Sequence, residues 1–215
     1  MTPTEIFENL RKAIKEYDNE LAMNSAKKAF EEGIDPIEVL DTITVAIRDV
    51  GDKFGKGELW LTDLIGAADA MSSAMPIIDE EIRRRGSKRE SLGTVVVGTV
   101  QGDIHNIGKT MVSALVSAEG FEVHDLGVDV KAEDFLDAVR KFSPDILAMS
   151  ALMTTTSSEQ RKVIEMLKKE GLRSKVKIMV GGGAITEDFA NNIGADGYDP
   201  TAVGAAKLAR NLVRK

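Results

Sequence analysis

The run Thr94-Val95-Val96-Val97-Gly98 decides how this chain folds. It is short, continuous, apolar and rich in branched residues, as a strand buried on both faces of a parallel sheet must be. A loop and then a helical pattern, Ile107 to Ala118, follow it. The alternation repeats along the chain. Strand-like runs recur at Glu122 to Leu126, Ile146 to Ser150 and Lys177 to Val180, with a weaker one at Gly197-Tyr198. Between and after them lie helical patterns over Ala132 to Phe142, Ser158 to Glu170, Glu187 to Asn192 and Thr201 to Val213. Strand and helix alternating five times predict an α/β domain with a doubly wound (flavodoxin-like, Rossmann-like), five-stranded parallel sheet over residues 93–215. In such sheets ligands sit beyond the carboxyl ends of the strands.

Upstream the rhythm differs. Residues 1–86 read as four helices, a small bundle. Thr4 is placed to cap the first, which carries Ile6, Phe7, Leu10 and Ile14 on one stripe. The second runs from Glu20 to Glu31. Asp35 and Pro36 open the third, and Phe54 to Gly57 break it. The fourth spans Glu58 to Arg84. Polar residues 87–92 read as a linker.

Composition narrows the function. The formal net charge is −7, and the basic runs, such as Arg83-Arg84-Arg85, are short. A nucleic-acid binder needs a basic face, so no nucleic-acid partner is expected. With no cysteine, disulfides, thiolate metal sites and a cysteine nucleophile are excluded. No signal peptide or membrane-length apolar run is present, so a cytoplasmic location and no membrane partner are expected.

The loop after the first α/β strand reads Gly98-Thr99-Val100-Gln101-Gly102-Asp103-Ile104-His105-Asn106-Ile107-Gly108-Lys109. It holds one of only two histidines in the chain. A loop histidine can ligate a metal through one ring nitrogen while a carboxylate holds the other; Asp103 is placed for that. One histidine cannot hold a bare ion, but a metal already held by a macrocycle needs only one or two axial ligands. The plainer reading of an isolated DxHxxG is a helix-capping loop. A phosphate loop is not supported, because neither GxGxxG nor GxxxxGK[ST] occurs.

Two more strand ends add to the pattern. Ser150-Ala151-Leu152-Met153-Thr154-Thr155-Thr156 sets a row of hydroxyls at one, and Gly181-Gly182-Gly183 lets a flat group approach the backbone at the next. Each alone also fits a helix cap or a turn; together they lie side by side on one sheet edge.

Asp103-x-His105-x-x-Gly108, 41 intervening residues, Ser150-x-Leu152, then 28 residues and the glycines resemble the cobalamin-binding signature DxHxxG…SxL…GG. The helical half is similar to the cap preceding this domain in methionine synthase and in small corrinoid proteins of methyltransferase systems. The resemblance implies a helical cap domain, 1–86, and a cobalamin-binding domain, 93–215. It implies cobalamin bound with its own base displaced and His105 as the lower cobalt ligand. Asp103 would hold the outer ring nitrogen. Gly102, Ile104, Asn106, Ile107 and Gly108 would line the corrin, with Gly108 letting the chain pass close. Ser150, Leu152 and Thr154 would meet the nucleotide tail in a slot lined by either Gly181-Gly182 or Gly182-Gly183.

Where methionine synthase has a serine that completes a His-Asp-Ser relay, this chain has Thr156; its extra methyl restricts the rotamer. Gly57-Glu58-Leu59-Trp60-Leu61 resembles the segment that shields the upper corrin face, with Trp60, Leu64 and Met71 as its contacts. His124 reads as structural.

The function implied is a methyl carrier cycling cobalamin between cob(I)alamin and methylcobalamin. With no substrate barrel in 215 residues, it would serve separate enzymes: a substrate:corrinoid methyltransferase, a corrinoid:tetrahydrofolate or corrinoid:coenzyme M methyltransferase, and a reductive activase. Two alternatives share parts of the signature. An adenosylcobalamin mutase subunit usually lacks the helical cap. A cobalamin-sensing regulator needs a DNA-binding module, and none is visible in the sequence.

Overall fold

The computed structural model describes residues 1–86 and 91–213. Most of the expected linker, residues 87–90, lies outside the described residues. The chain divides into two compact units, Met1–Glu90 and Ser91–Lys215.

The first unit contains four helices: α1 (Pro3–Lys15), α2 (Asn19–Glu31), α3 (Pro36–Gly55) and α4 (Leu61–Arg85). Ile6, Leu10 and Ile14 of α1, Ile43 and Ile47 of α3, and Leu64 and Ile78 of α4 are fully buried. Each such aliphatic side chain contributes about 1.5–3 kcal/mol when taken out of water. From α2 only small residues, Ala22, Ser25, Ala26 and Ala29, are buried, which lets the other helices approach it closely.

In this unit two helix starts differ from expectation by more than one residue. Thr2, not Thr4, caps α1: its hydroxyl accepts from Glu5 N, and the Glu5 carboxylate accepts from Thr2 N at 2.7 Å. Pro3, with φ already fixed, then takes the first helical position. The helix α4 begins at Leu61 rather than Glu58. The carbonyls that end α3 claim the preceding amides: Gly57 N donates to Phe54 O and Glu58 N to Lys53 O, both at 2.9 Å. At the other end of α4, Arg84 and Arg85 both bond Glu81. Arg84 pulls the Glu81 carboxyl down to about 2, against its burial and helped by Arg85.

The second unit is a parallel five-stranded sheet with strands β1 (Thr94–Thr99), β2 (Glu122–Asp125), β3 (Ile146–Ser150), β4 (Lys177–Gly181) and β5 (Gly197–Tyr198). Helices α5 (Ile107–Ala118), α6 (Ala132–Phe142), α7 (Thr154–Lys169), α8 (Glu187–Ile193) and α9 (Ala202–Val213) alternate with them. Phe135 of α6, Leu147 of β3, Ile164 of α7 and Ile178 of β4 share one core cluster and are fully buried.

The strand order is β2-β1-β3-β4-β5. The chain leaves β1 toward β2 on one side, then returns to lay β3, β4 and β5 on the other. The order therefore reverses between β1 and β3, and a doubly wound sheet opens its ligand crevice at such a point. Thr99 and Ser150 are register partners at that end. Among the described residues no helix is long and apolar enough to cross a membrane.

Candidate functional site

Groups of His105, Leu152, Met153 and Thr156 at the switch point converge on one carboxylate. Asp103 is fully buried. Its Oδ1 accepts from His105 N at 3.0 Å and pairs with His105 Nδ1 at 2.7 Å. Its Oδ2 accepts from Leu152 N and Thr156 Oγ1, both at 2.8 Å, and more weakly from Met153 N at 3.4 Å. Burial alone would raise this carboxyl's pKa. The donors from His105, Thr156 and Leu152 outweigh it and hold the group well below the usual carboxylate range.

An ionised carboxylate only accepts, so Nδ1 must donate. In the neutral ring Nε2 then presents its lone pair. The side chain is 48% exposed, so the ring is gripped from behind and open in front. Exposed apolar side chains belong to the same strand ends: Ile104 and Ile107 beside the histidine, Leu152 and Met153 after β3, and Val128 after β2. Asn106, the residue before α5, is exposed too.

Asp103 also explains where α7 begins. The expected start was Ser158; the helix starts at Thr154, with Met153 as N-cap and no local side-chain cap. Asp103, 50 residues upstream of the N-cap, instead anchors the start of the helix by accepting the amides of Leu152 and Met153 and the hydroxyl of Thr156. Thr154, Thr155 and Thr156 therefore lie in the first turn of α7 rather than in a loop. Thr156 turns inward and is buried, whereas Thr154 and Thr155 face out. Its single hydroxyl proton can go to Asp103 or to Met153 O at 3.0 Å; the ionised carboxylate is the stronger acceptor.

The glycines divide into two kinds. Gly182 is demanded by the fold: it sits at φ +120°, and a Cβ there would lie 2.0 Å from Ala151 O. Gly108 is not. A Cβ on it would meet nothing within 4 Å. Gly181 resembles Gly108 in this respect, while a Cβ on Gly183 would press on the Leu152 side chain at 2.7 Å. Ser150 is half-buried at the end of β3.

In the helical unit, Trp60 is 81% exposed as the N-cap of α4, with its N–H donated to Asp63 at 2.7 Å. Leu64 and Met71 are buried in the bundle core. Two contributors to the β1–α5 loop were missed by the sequence reading. Thr99, fully buried, donates its hydroxyl to His105 O at 3.0 Å, and Asp129 accepts from Gly102 N. Neither lies in a recognisable motif. His124 stacks on Phe142 at 4.0 Å.

Two protein-family models, each described as a B12 binding domain, match the chain. One covers residues 93–207 and the other residues 6–78. The chain belongs to the B12-binding corrinoid proteins. It is 44% identical over 212 residues to the trimethylamine corrinoid protein of Methanosarcina barkeri, covering 97% of this chain and 98% of that one. A corrinoid protein of Desulfitobacterium hafniense is 38% identical over 98% of each chain. Among solved structures, a chain of the methanol:cobalamin methyltransferase complex of Methanosarcina barkeri superposes with a TM-score of 0.86 at 34% identity, covering 99% of this chain and 81% of that one. The monomethylamine corrinoid protein of the same organism gives 0.56 at 32% identity, covering 98% of this chain and all of that one.

The switch-point residues suit the family's cofactor. A flat macrocycle needs an apolar floor and one axial donor. Ile104, Ile107, Val128, Leu152 and Met153 are exposed at these strand ends and could contribute to the first, and His105, held through Nδ1, has its other ring nitrogen available for the second. Among the described residues no group of three His, Asp or Glu side chains could hold a bare ion.

Proposed function

We propose that this chain is a corrinoid methyl carrier in a cytoplasmic methyltransferase system of the methylamine type. One observation carries the reading. Asp103, fully buried, pairs its Oδ1 with Nδ1 of the half-exposed His105 at 2.7 Å, at the switch point of a B12-binding fold. Bound cobalamin supplies a cobalt that takes a methyl group from one partner and yields it to another.

His105 Nε2 would hold the cobalt from below, with the cofactor's own base displaced. Asp103 would hold the ring in that orientation through Nδ1. Thr156 sets how much negative charge Asp103 offers, because its hydroxyl donates to the same carboxylate.

Gly102, Ile104, Asn106, Ile107 and Gly108 would line the lower corrin face. No contact within the protein requires a glycine at 108, so the open space there is left for a ligand. Ser150, Leu152, Thr154 and the Gly181–Gly183 turn would border the nucleotide tail. Trp60 is assigned to shielding the methyl group; Leu64 and Met71, being core residues, would hold its helix.

The relatives named for trimethylamine suggest an amine-specific donor methyltransferase. A second methyltransferase would deliver to tetrahydrofolate or coenzyme M, and a reductive activase would rescue oxidised cobalt.

The test is reconstitution of the apo-protein with methylcobalamin, followed by gel filtration and a visible spectrum. Stoichiometric binding with the base-displaced spectrum is expected. His105→Ala should lose the imidazole-ligated spectrum, and an unchanged variant spectrum would refute the ligand assignment.

A further inference from the structure

Three residues outside glycine adopt the left-handed backbone region among the described residues: Tyr17, Asp129 and Ser143. Asp129, at φ +53°, stands in the connection between β2 and α6, against the end of β1. Its N–H donates to Asp103 O at 3.0 Å. Its Oδ1 accepts from Gly102 N at 2.7 Å. One residue thus grips both ends of the Gly102–Asp103 segment. Flanking bonds continue the seam: Thr99 N donates to Gly127 O and Val130 N to Thr99 O, each at 3.0 Å.

This segment is where the loop must turn. Gly102 sits at φ +79°, and Asp103 N donates back to Val100 O at 3.1 Å. The turn sends the Asp103 side chain inward to α7 and leaves His105 outward. Nothing in the DxHxxG pattern itself fixes it; Asp129, 26 residues after Asp103, does. A left-handed backbone is costly for most side chains and least so for Asp, Asn and Gly. Its presence here means the surrounding bonds over-determine it.

We propose that Asp129 is a positioning residue for the axial ligand. It acts through its hydrogen bonds to the Gly102–Asp103 turn. The proposal rests on the corrinoid reading above. It extends the ligand site to a connection that the signature does not contain.

Three substitutions in the full chain separate its parts. Asp129→Asn keeps both the acceptor and the tolerance for positive φ. Asp129→Gly keeps only the backbone conformation. Asp129→Ala keeps neither. Thermal melting first establishes that each variant is folded. Amide exchange of the apo-protein, followed by NMR, then reads Gly102. Loss of one hydrogen bond should speed its exchange about tenfold in Asp129→Gly and leave it nearly unchanged in Asp129→Asn. Protein grown with nitrogen-15 histidine and loaded with cob(II)alamin gives the second readout, the nitrogen splitting in the EPR spectrum. A wild-type splitting retained by Asp129→Asn, and weakened or replaced by a five-coordinate water spectrum in Asp129→Gly, is the expected result. Unchanged splitting in Asp129→Gly overturns the proposal, whether or not Gly102 exchange quickens. If wild-type protein shows no histidine splitting at all, the corrinoid ligation reading fails, and the positioning role with it.

Discussion

The loop after β1 and the strand β2 each carry one of the chain's two histidines, and they put them to opposite uses. His124 lies within β2, partly buried, stacked on Phe142 and 3.2 Å from Glu122, an exposed carboxylate. His105 is more exposed, yet its partner is buried completely. The order of burial is reversed. In β2 the ring is packed and the carboxylate is solvated, so the pair adds little beyond the stack. In the loop the carboxylate is packed and the ring is offered outward. A half-exposed imidazole backed by a buried, ionised carboxylate makes a directed ligand. An imidazole backed by a solvated one makes a wall.

The largest expected contrast comes from removing the two carboxylates. Asp103→Ala strips an acceptor from three backbone amides and a hydroxyl and should destabilise the apo-protein by about 3 kcal/mol or more. Glu122→Ala should cost less than about 0.5 kcal/mol. Urea unfolding of both variants measures it, and equal losses would erase the distinction.

Acid sharpens the same contrast. Asp103 has its folded pKa depressed below an unfolded value of about 3.9. Its contribution is therefore fully present above that value and is lost as the pH falls through the folded pKa. The stability gap between wild type and Asp103→Asn should be constant from about pH 7 to 5 and shrink below about pH 4. A gap that widens on acidification would contradict the assignment.

Thr156→Val should cost about 1–2 kcal/mol, because Oδ2 of Asp103 loses one donor inside the protein. Thr156→Ser should restore most of it. Next come the rings themselves. His124→Ala should cost about 1 kcal/mol through the lost stack and leave cobalamin binding intact. His105→Ala should cost about as much as Thr156→Val, because Oδ1 of Asp103 loses a donor, and should abolish histidine ligation. The smallest effect on folding belongs to Gly108→Ala, within about 0.5 kcal/mol of wild type, since the new methyl meets no protein atom. It should nevertheless weaken cobalamin binding; unaltered affinity would show that the open space at 108 serves no ligand.

Much of the fold was legible because its signals are local. The branched runs of β1, β3 and β4 and the Asp35-Pro36 start of α3 depend on neighbours in sequence. What escaped depends on distant partners. The start of α7 was misplaced because the carboxylate that anchors it, Asp103, comes from another strand end. Asp129 was passed over because a clamp built from one amide and one carboxylate leaves no spacing to read. The triad of His105, Asp103 and Thr156 could be named from the resemblance, but the set of donors that converge on Asp103 needed the three-dimensional structure. The glycine triplet carried two meanings that sequence cannot separate: Gly182 answers to Ala151, whereas Gly181 and Gly108 answer to nothing inside the chain.

The central claim is that Nε2 of His105 is the nitrogen offered to cobalt. The most direct test is the EPR spectrum of the full chain loaded with cob(II)alamin, prepared once with ordinary and once with nitrogen-15 histidine. The account predicts that each cobalt line splits into a triplet in the first sample and a doublet in the second, that His124→Ala keeps this change, and that His105→Ala loses it. A triplet that persists in the labelled protein would place the cofactor's own base on the cobalt and contradict the account.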